Sequence, residues 1–309
     1  MIGNTFYFGW EIQLIVFLQT YFLYLTPFAK VFSYFGDQIV TILVAGFVYW
    51  CYDKKLGKIL CLTVGMGSIL NPMVKNIFLR RRPYFDNAMI KCLNPAESEF
   101  AVNDVLGQGF SLPSLHATNS VTLYGTLAFY LKKNWITVLA IVLILLIGIS
   151  RFFIGVHYPT DILAGWIIGF ALILFIYFLN SRIKETWKIC LILIIIGCIG
   201  LIYCRSADYF RGLGIVIGFS IAILIEEKYV NFKNTRSIPR SILRLIGGLI
   251  VFLVITLICK AIFPDGNTYI AFGFRVLRYT ISLIFAMALY PLIFKKFDKY
   301  FKEDDKIKN

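Results

Sequence analysis

Long apolar runs separated by short polar segments make up most of this chain. Nine of them approach membrane-spanning length, and we place them at 38–52, 57–79, 116–131, 135–150, 160–180, 189–204, 211–226, 243–263 and 276–294. A helix needs about 20 apolar residues to cross a hydrocarbon core of ~30 Å. Only helices and closed barrels satisfy the backbone inside lipid. The pattern therefore predicts an all-α fold, a polytopic membrane helix bundle.

The first forty residues leave two interpretations open. Residues 10–31 are long enough to span a membrane, but Glu11, Gln13 and Gln19 interrupt the apolar run, and Pro27 would bend it. The segment is either a tenth span or an amphipathic helix that lies in the membrane interface.

Composition narrows the class of protein. The chain has 309 residues, of which 59% are hydrophobic and 16% charged, and its mean hydropathy is +0.77. A soluble protein of this length does not have that balance. The formal net charge of +14 has a simple explanation in the basic loops of membrane proteins, so no nucleic-acid partner is predicted. The seven cysteines lie mostly in apolar runs, which favours neither disulfides nor a thiolate metal site.

The distribution of basic residues predicts an orientation. When the loops are numbered alternately, one set carries more than twice as many Lys and Arg residues as the other, and it includes the tail at 295–309. The basic set should be cytoplasmic, in a membrane that we interpret as a bacterial plasma membrane. The triple arginine of "RRRP" at 80–83 then faces outward, against the rule, which suggests that it meets something anionic.

Three polar segments fall on this predicted outer side: "KNIFLRRRP" at 75–83, "PSLH" at 113–116 and "SRFFIGVHYPTD" at 150–161. They contain basic side chains, and the planar fork of arginine suits phosphate oxygens. The middle segment offers the Ser114 hydroxyl and backbone N–H groups at a helix start, which favour anions. The candidate phosphate-binding residues are Lys75, Arg82, Ser114, Leu115 and Arg151.

The two histidines of the chain both belong to these segments. His157 and Asp161 are spaced i, i+4, so on a helix a carboxylate would hold one imidazole nitrogen and leave the other free to attack. His116 comes from another helix and could protonate a leaving alkoxide. Each residue alone has a structural explanation, such as capping by Asp161 or snorkelling by Arg151. Together they predict phosphoryl transfer without a metal, because no metal-ligand spacing is present.

These segments resemble the signature of the type 2 phosphatidic acid phosphatase family, integral membrane lipid phosphatases related to acid phosphatases and vanadium haloperoxidases. The family pattern reads K-x6-RP, PSGH and SR-x5-H-x3-D. Its first and third parts match without a gap, whereas the second has Leu115 in place of glycine. Leucine keeps the backbone N–H, but its Cβ disfavours a left-handed conformation and crowds the phosphate. The resemblance covers roughly residues 10 to 180.

The resemblance implies a role for each matched residue. His157 would form a phosphohistidine, with Asp161 as its orienting partner, and His116 would be the general acid and later the base. The phosphoryl oxygens would be held by the side chains of Lys75, Arg82, Ser114 and Arg151, and the loop at 84–112 would cover the site. Arg80 and Arg81 would contact either a second phosphate or headgroup, or anchor the chain at the interface.

The domain prediction follows from the same resemblance. A six-helix lipid phosphatase core would occupy residues 1–182, and about four further transmembrane helices of unknown role would occupy 183–309. The predicted enzyme is a lipid phosphatase that hydrolyses a phosphomonoester or diphosphate on the extracytoplasmic face, with membrane lipids as its partners and no cofactor. Two alternatives stay open: a lipid phosphotransferase that uses the same intermediate, and a non-catalytic protein that binds or moves anionic lipids.

Overall fold

The computed structural model describes residues 3–263, 265–266 and 268–294. Within these ranges the regular structure is helical, and the one β element is a single bridge between Asn4 and Arg80. The predicted all-α class is confirmed. The basic tail at 295–309, predicted to be cytoplasmic, lies outside the described residues.

Fourteen α-helices follow one another in the described part of the chain. They are α1 Gly9–Tyr21, α2 Thr26–Phe35, α3 Gln38–Phe47, α4 Lys54–Phe78, α5 Pro83–Asp86, α6 Val105–Gln108, α7 Leu115–Ser120, α8 Thr126–Leu131, α9 Asn134–Phe153, α10 Pro159–Arg182, α11 Thr186–Cys198, α12 Ala207–Ile225, α13 Ile238–Ile262 and α14 Tyr269–Ile284. A π turn at Val121–Gly125 joins α7 to α8. Further π or 3-10 turns extend α3, α11, α12 and α14.

Six helices in the described residues are long and apolar enough to cross a membrane. They are α4, α9, α10 and α13, together with α12 and α14 when the turns that extend them are included, Ala207–Val230 and Tyr269–Ile293. They confirm six of the nine predicted spans. The apolar helices Gln38–Tyr52 and Thr186–Ile202 have fewer than 18 residues, so each covers less than ~30 Å of hydrocarbon at 1.5 Å per residue. The ninth predicted span, 116–131, is the similarly short unit α7–π turn–α8.

The N-terminal segment is a bent pair of helices. α1 and the helix Leu23–Phe35 meet at an angle of 84°, so residues 10–31 do not form one straight helix. On α1 the buried residues are Glu11, Ile15 and Gln19, which share one face at i, i+4, i+8 spacing. α2 packs along α9.

The chain forms two compact units whose segments alternate along the sequence. Among the described residues, the first takes in 3–41, 70–178 and 202–206, and the second takes in 42–69, 179–201 and those between 207 and 294. All the predicted site residues belong to the first unit. The domain boundary predicted at 182/183 stays a prediction. In the second unit, α12 packs along α14, and α11 and α13 pack against this pair.

Two glycines on α10 allow α7 to approach closely. A Cβ added to Gly165 would lie 2.7 Å from the Ser114 carbonyl oxygen, and one added to Gly169 would lie 2.7 Å from the Val121 Cβ. Contacts under 3.0 Å do not occur between real Cβ atoms and backbone oxygens without displacement. Small residues four apart let helix backbones approach in membranes. This contact sets the segment Ser114–His116 beside the start of α10.

Candidate active site

His157 lies in the turn between α9 and α10, with groups of opposite charge at its two ring nitrogens. Nδ1 is 3.4 Å from Oδ2 of Asp161, within ion-pair distance but without hydrogen-bond geometry. Nε2 is 3.4 Å from a terminal nitrogen of Arg82. His157 precedes α10, which begins at Pro159, so the two residues do not share a helix face as predicted. The turn before α10 nevertheless brings Asp161 to Nδ1. Nε2 is the nitrogen that faces the basic side.

Backbone carbonyls hold Arg82 in place. Its guanidinium donates to the carbonyl oxygens of Gln108, Gly109 and Val156 at 2.8 to 3.1 Å. The side chain is buried, and Arg82 itself precedes α5 as its N-cap. The loop that was predicted to cover the site thus contributes two of the three carbonyls that orient this arginine, and the turn before α10 contributes the third.

Arg151 and Lys75 approach from two other helices. Arg151 lies in the last turn of α9, is buried, and donates to the Ser33 hydroxyl on α2. Lys75 lies in the last turn of α4. Burial first, and then the positive charges of Arg82, Arg151 and Lys75, hold the pKa of His157 well below its ordinary value. The neutral imidazole, which is the nucleophilic form, is favoured.

His116 is the second residue of α7 and stands against the turn that joins α2 to α3. A Cβ added to Gly36 would lie 3.2 Å from the Cβ of His116 and 2.7 Å from Cγ2 of Ile147, so only glycine fits there. The same three cations act electrostatically on His116, and the two histidines interact with each other. The structure therefore brings both histidines and the three predicted cations into one site.

Ser114 and Leu115 begin α7. The Ser114 hydroxyl oxygen accepts the N–H of Ala117 at 3.4 Å, and the Ser114 N–H donates to the Asp161 carbonyl oxygen at 3.0 Å. The N–H groups of Leu115 and His116 lie in the first turn, where helices have no internal acceptors. The described non-glycine residues with positive φ are Leu79, Lys132 and Asn231. Leu115 therefore needs none of glycine's conformational freedom.

Arg80 has neither of the two roles predicted for it, contact with a second phosphate or headgroup and anchoring at the membrane interface. The side chain is 2% exposed and donates to Asp161 Oδ1 at 2.7 Å and to Glu11 Oε2 at 2.9 Å. It is neither an interfacial anchor nor available to a headgroup, because both carboxylates occupy its guanidinium. The neighbouring Arg81 pairs with Asp86 at 3.2 Å.

The N-terminal contribution to the site was not predicted. Gln19 donates to the carbonyl oxygens of Lys91 and Phe153, while Glu11 holds Arg80. The sequence contains a signal for this, since polar residues 11 and 19 fall on the same helical face as Ile15. In the sequence alone they look only like interruptions of an apolar run.

The donor set does not suit a metal ion. Among the described residues, no group of three or more His, Cys, Asp or Glu side chains lies close enough to hold one. The predicted metal independence concerns activity and stays a prediction.

Two family models match this chain. A family model described as the PAP2 superfamily matches residues 56–185. A second, described as PAP2 superfamily phosphatase, transmembrane extension, matches residues 210–302. The chain belongs to the PAP2 superfamily. The family predicted from the three segments is confirmed, and so are the integral membrane character and the enzyme class, a membrane lipid phosphatase.

Three named proteins are similar to this chain in sequence. Phosphatidylglycerophosphatase B of Bacillus subtilis is 29% identical over 163 residues, 50% of this chain and 71% of the relative. Undecaprenyl-diphosphatase of Sulfolobus acidocaldarius is 29% identical over 140 residues, 44% of this chain and 59% of the relative. Lipid A 4'-phosphatase of Bacteroides thetaiotaomicron is 38% identical over 77 residues, 25% of this chain and 34% of the relative.

One solved PAP2 structure is also similar. It is the crystal structure described as the first transmembrane PAP2 type phosphatidylglycerolphosphate phosphatase from Bacillus subtilis, with a TM-score of 0.43 and 25% sequence identity. The match covers 57% of this chain and 85% of the solved one.

Proposed function

We propose that this protein hydrolyses a lipid phosphomonoester or diphosphate through a phosphohistidine formed on His157. The observation that supports this most directly is the placement of the His157 ring between Asp161 at Nδ1 and Arg82 at Nε2. Lys75 and Arg151 add positive charge at the same imidazole. Such a field stabilises the charge that develops on phosphoryl oxygens, and one well-placed donor is worth about 3–4 kcal/mol.

In the first step, Nε2 of His157 attacks phosphorus and an N–P bond forms. The bond from phosphorus to the lipid oxygen breaks, and His116 donates a proton to the leaving alkoxide. Asp161 stabilises the imidazole, which carries its proton on Nδ1. The negative charge of the bound phosphoryl group offsets the three cations, which favours the protonated form of His116 in the complex.

In the second step, His116 accepts a proton from water and the water oxygen attacks phosphorus. The N–P bond breaks, inorganic phosphate leaves, and His157 returns to its neutral form. The phosphoryl oxygens would be held by Lys75, Arg82, Arg151, the Ser114 hydroxyl and the N–H of Leu115. No step requires a metal, because side chains and backbone supply the positive field.

The proposal also covers the side of the membrane that the active site faces and the roles of the two parts of the chain. The distribution of Lys and Arg among the loops supports an active site on the extracytoplasmic face of a bacterial plasma membrane. Residues 1–182 would carry the chemistry, and 183–309 would form a C-terminal transmembrane extension that takes no part in it.

Phosphate release from a lipid panel tests the proposed function. Purified enzyme in detergent, with EDTA present, would be given phosphatidylglycerophosphate, undecaprenyl diphosphate and phosphatidic acid. The wild type should release phosphate from at least one, and His157→Ala should lower that rate about a thousandfold or more. Lys133→Ala, which removes an exposed lysine at the other end of α9, should not change it.

Two outcomes would contradict the proposal. Unchanged phosphate release by His157→Ala would exclude the phosphohistidine route. Loss of the lipid phosphate without release of inorganic phosphate, accelerated by an added alcohol, would identify a phosphotransferase instead.

A further inference from the structure

The carboxylate of Asp161 has a stronger partner than His157. Oδ1 accepts from Arg80 at 2.7 Å, and Oδ2 accepts from the Tyr158 N–H at 2.8 Å. The distance from Oδ2 to Nδ1 of His157 is longer, 3.4 Å. Asp161 is fully buried, and a buried carboxylate without a cation partner is strongly disfavoured. Arg80 is therefore the main cation partner of this carboxylate, and it holds the carboxylate in place.

Several contacts fix the orientation of Arg80 around this bond. Its Nε donates to the Phe6 carbonyl oxygen at 2.8 Å, and the same terminal nitrogen that meets Asp161 also meets the Thr160 hydroxyl at 2.7 Å. The guanidinium carbon lies 3.9 Å from the centre of the Tyr158 ring. The fork geometry of arginine makes such a set of contacts directional.

Glu11 holds the other side of Arg80. One oxygen accepts from Arg80 at 2.9 Å, and the other accepts from the hydroxyl and the N–H of Thr160 at 2.6 and 3.0 Å. Glu11 is completely buried on α1. It therefore links the N-terminal helix to the residue that immediately precedes Asp161.

From this chain of contacts we propose that Glu11 and Arg80 are positioning residues that set the Asp161 carboxylate against Nδ1 of His157. The proposal rests on the function proposed above. Arg80 lies between two carboxylates, so its attraction to Asp161 is balanced by its attraction to Glu11. Loss of Glu11 leaves Arg80 free to shift toward Asp161 and to draw the carboxylate away from the imidazole. Loss of Arg80 leaves two buried carboxylates without their shared cation.

A positioning role and a phosphate-binding role affect different kinetic constants. Neither Glu11 nor Arg80 is among the groups placed around the phosphoryl oxygens, so substrate affinity should depend little on them. The rate of the chemical step should depend on them strongly, because the orientation of His157 enters only there.

The test compares kcat and KM for phosphatidylglycerophosphate in detergent micelles. Glu11→Gln should lower kcat about tenfold and Arg80→Met about a hundredfold, as for other partners that orient a reacting group. KM should change less than about threefold in both. Arg80→Lys keeps the charge but not the fork, and its kcat should lie between those of the wild type and Arg80→Met.

A double-variant comparison separates positioning from general destabilisation. In an Asp161→Asn background the carboxylate is already absent, so adding Arg80→Met should lower kcat no more than about twofold. A purely structural role would multiply the two losses. The matched control is Lys133→Met, which removes an exposed cation at the other end of α9 and should leave kcat unchanged.

Size-exclusion profiles and thermal unfolding of every variant establish that it is folded. If Arg80→Met does not fold, the isosteric Glu11→Gln, alone and with Asp161→Asn, decides the question. Wild-type kcat in a folded Glu11→Gln, or losses that multiply with Asp161→Asn, would overturn the positioning role. Wild-type activity of His157→Ala in the same assay would instead overturn the proposed function.

Discussion

At His157, burial and neighbouring cations act in the same direction. Both favour the neutral imidazole, since the charged form is poorly solvated there and lies close to Arg82, Arg151 and Lys75. Neutral imidazole is the form that can attack phosphorus. The residues that would bind the phosphoryl group therefore also prepare the nucleophile.

The pKa of His157 is the property that this environment changes. The ordinary value for histidine is about 6.5, and we expect the wild type to titrate below it. Arg82→Met removes one of the cations, so the pKa of His157 should rise toward the ordinary value. Histidine NMR in detergent measures this directly, because the chain has two histidines and His116→Asn assigns the signals.

The sign of this effect determines the pH dependence of activity. Activity that needs neutral His157 is kept down to the lowered pKa and is lost as the pH falls through it. In Arg82→Met the loss should begin at higher pH. In the control Lys133→Met, which removes an exposed cation outside the site, it should not move. A wild-type pKa at or above the ordinary value would contradict the description of the site.

At the scale of elements, close contacts between helices determine the geometry of the site. Gly165 on α10 lies one turn beyond Asp161 and touches the Ser114 carbonyl, while the Ser114 N–H donates to the Asp161 carbonyl oxygen. The spacing of Ser114–His116 from Asp161 therefore depends on a glycine that has no chemical role.

Gly165→Ala should impair both stability and activity. Its Cβ would lie 2.7 Å from the Ser114 oxygen and 2.9 Å from the Ala117 Cβ, and overpacking of this kind costs about 1–3 kcal/mol. Thermal unfolding in detergent and kcat measure the two effects. Gly273→Ala is the matched control, because a Cβ there meets nothing within 4 Å. If Gly165→Ala were as stable and active as this control, the contact would not set the geometry.

Apolar runs predicted the long helices well and the short ones less well. α9, α10 and α13 are long uninterrupted runs, for which a span is the only arrangement that satisfies the backbone in lipid. The run at 116–131 gave no indication of its buried π turn, Val121–Gly125. The bend of 84° after α1 also has no strong signal, since Pro27 follows the break and does not cause it directly.

At the scale of the whole molecule, motifs predicted the candidate site residues, and tertiary contacts supplied their surroundings. Spacing and residue type are enough to predict six of these residues: Lys75, Arg82, His116, Arg151, His157 and Asp161. The Glu11–Arg80 pair joins residues 69 positions apart, and no local pattern encodes such a contact. No local pattern indicates the need for glycine at position 36 either, because that need arises from the contact with His116 in the folded chain.

Orientation in the membrane is a property of the whole chain, and labelling tests it. Ser98 and Lys133 are exposed and belong to loops that the charge pattern predicts to lie on opposite sides. In a cysteine-free background in intact bacteria, an impermeant maleimide should label Ser98→Cys directly and Lys133→Cys only after permeabilisation. The reverse pattern would place the site on the cytoplasmic side.

Detection of the phosphorylated residue tests the central claim most directly. Enzyme mixed with a lipid substrate labelled on its terminal phosphate would be quenched in alkali within the first turnover and digested, and the labelled peptide identified by mass spectrometry. We predict an acid-labile phosphoryl group on the peptide that contains His157, and none in His157→Asn. A label on His116 or on another residue, or full turnover with no labelled peptide, would contradict the account.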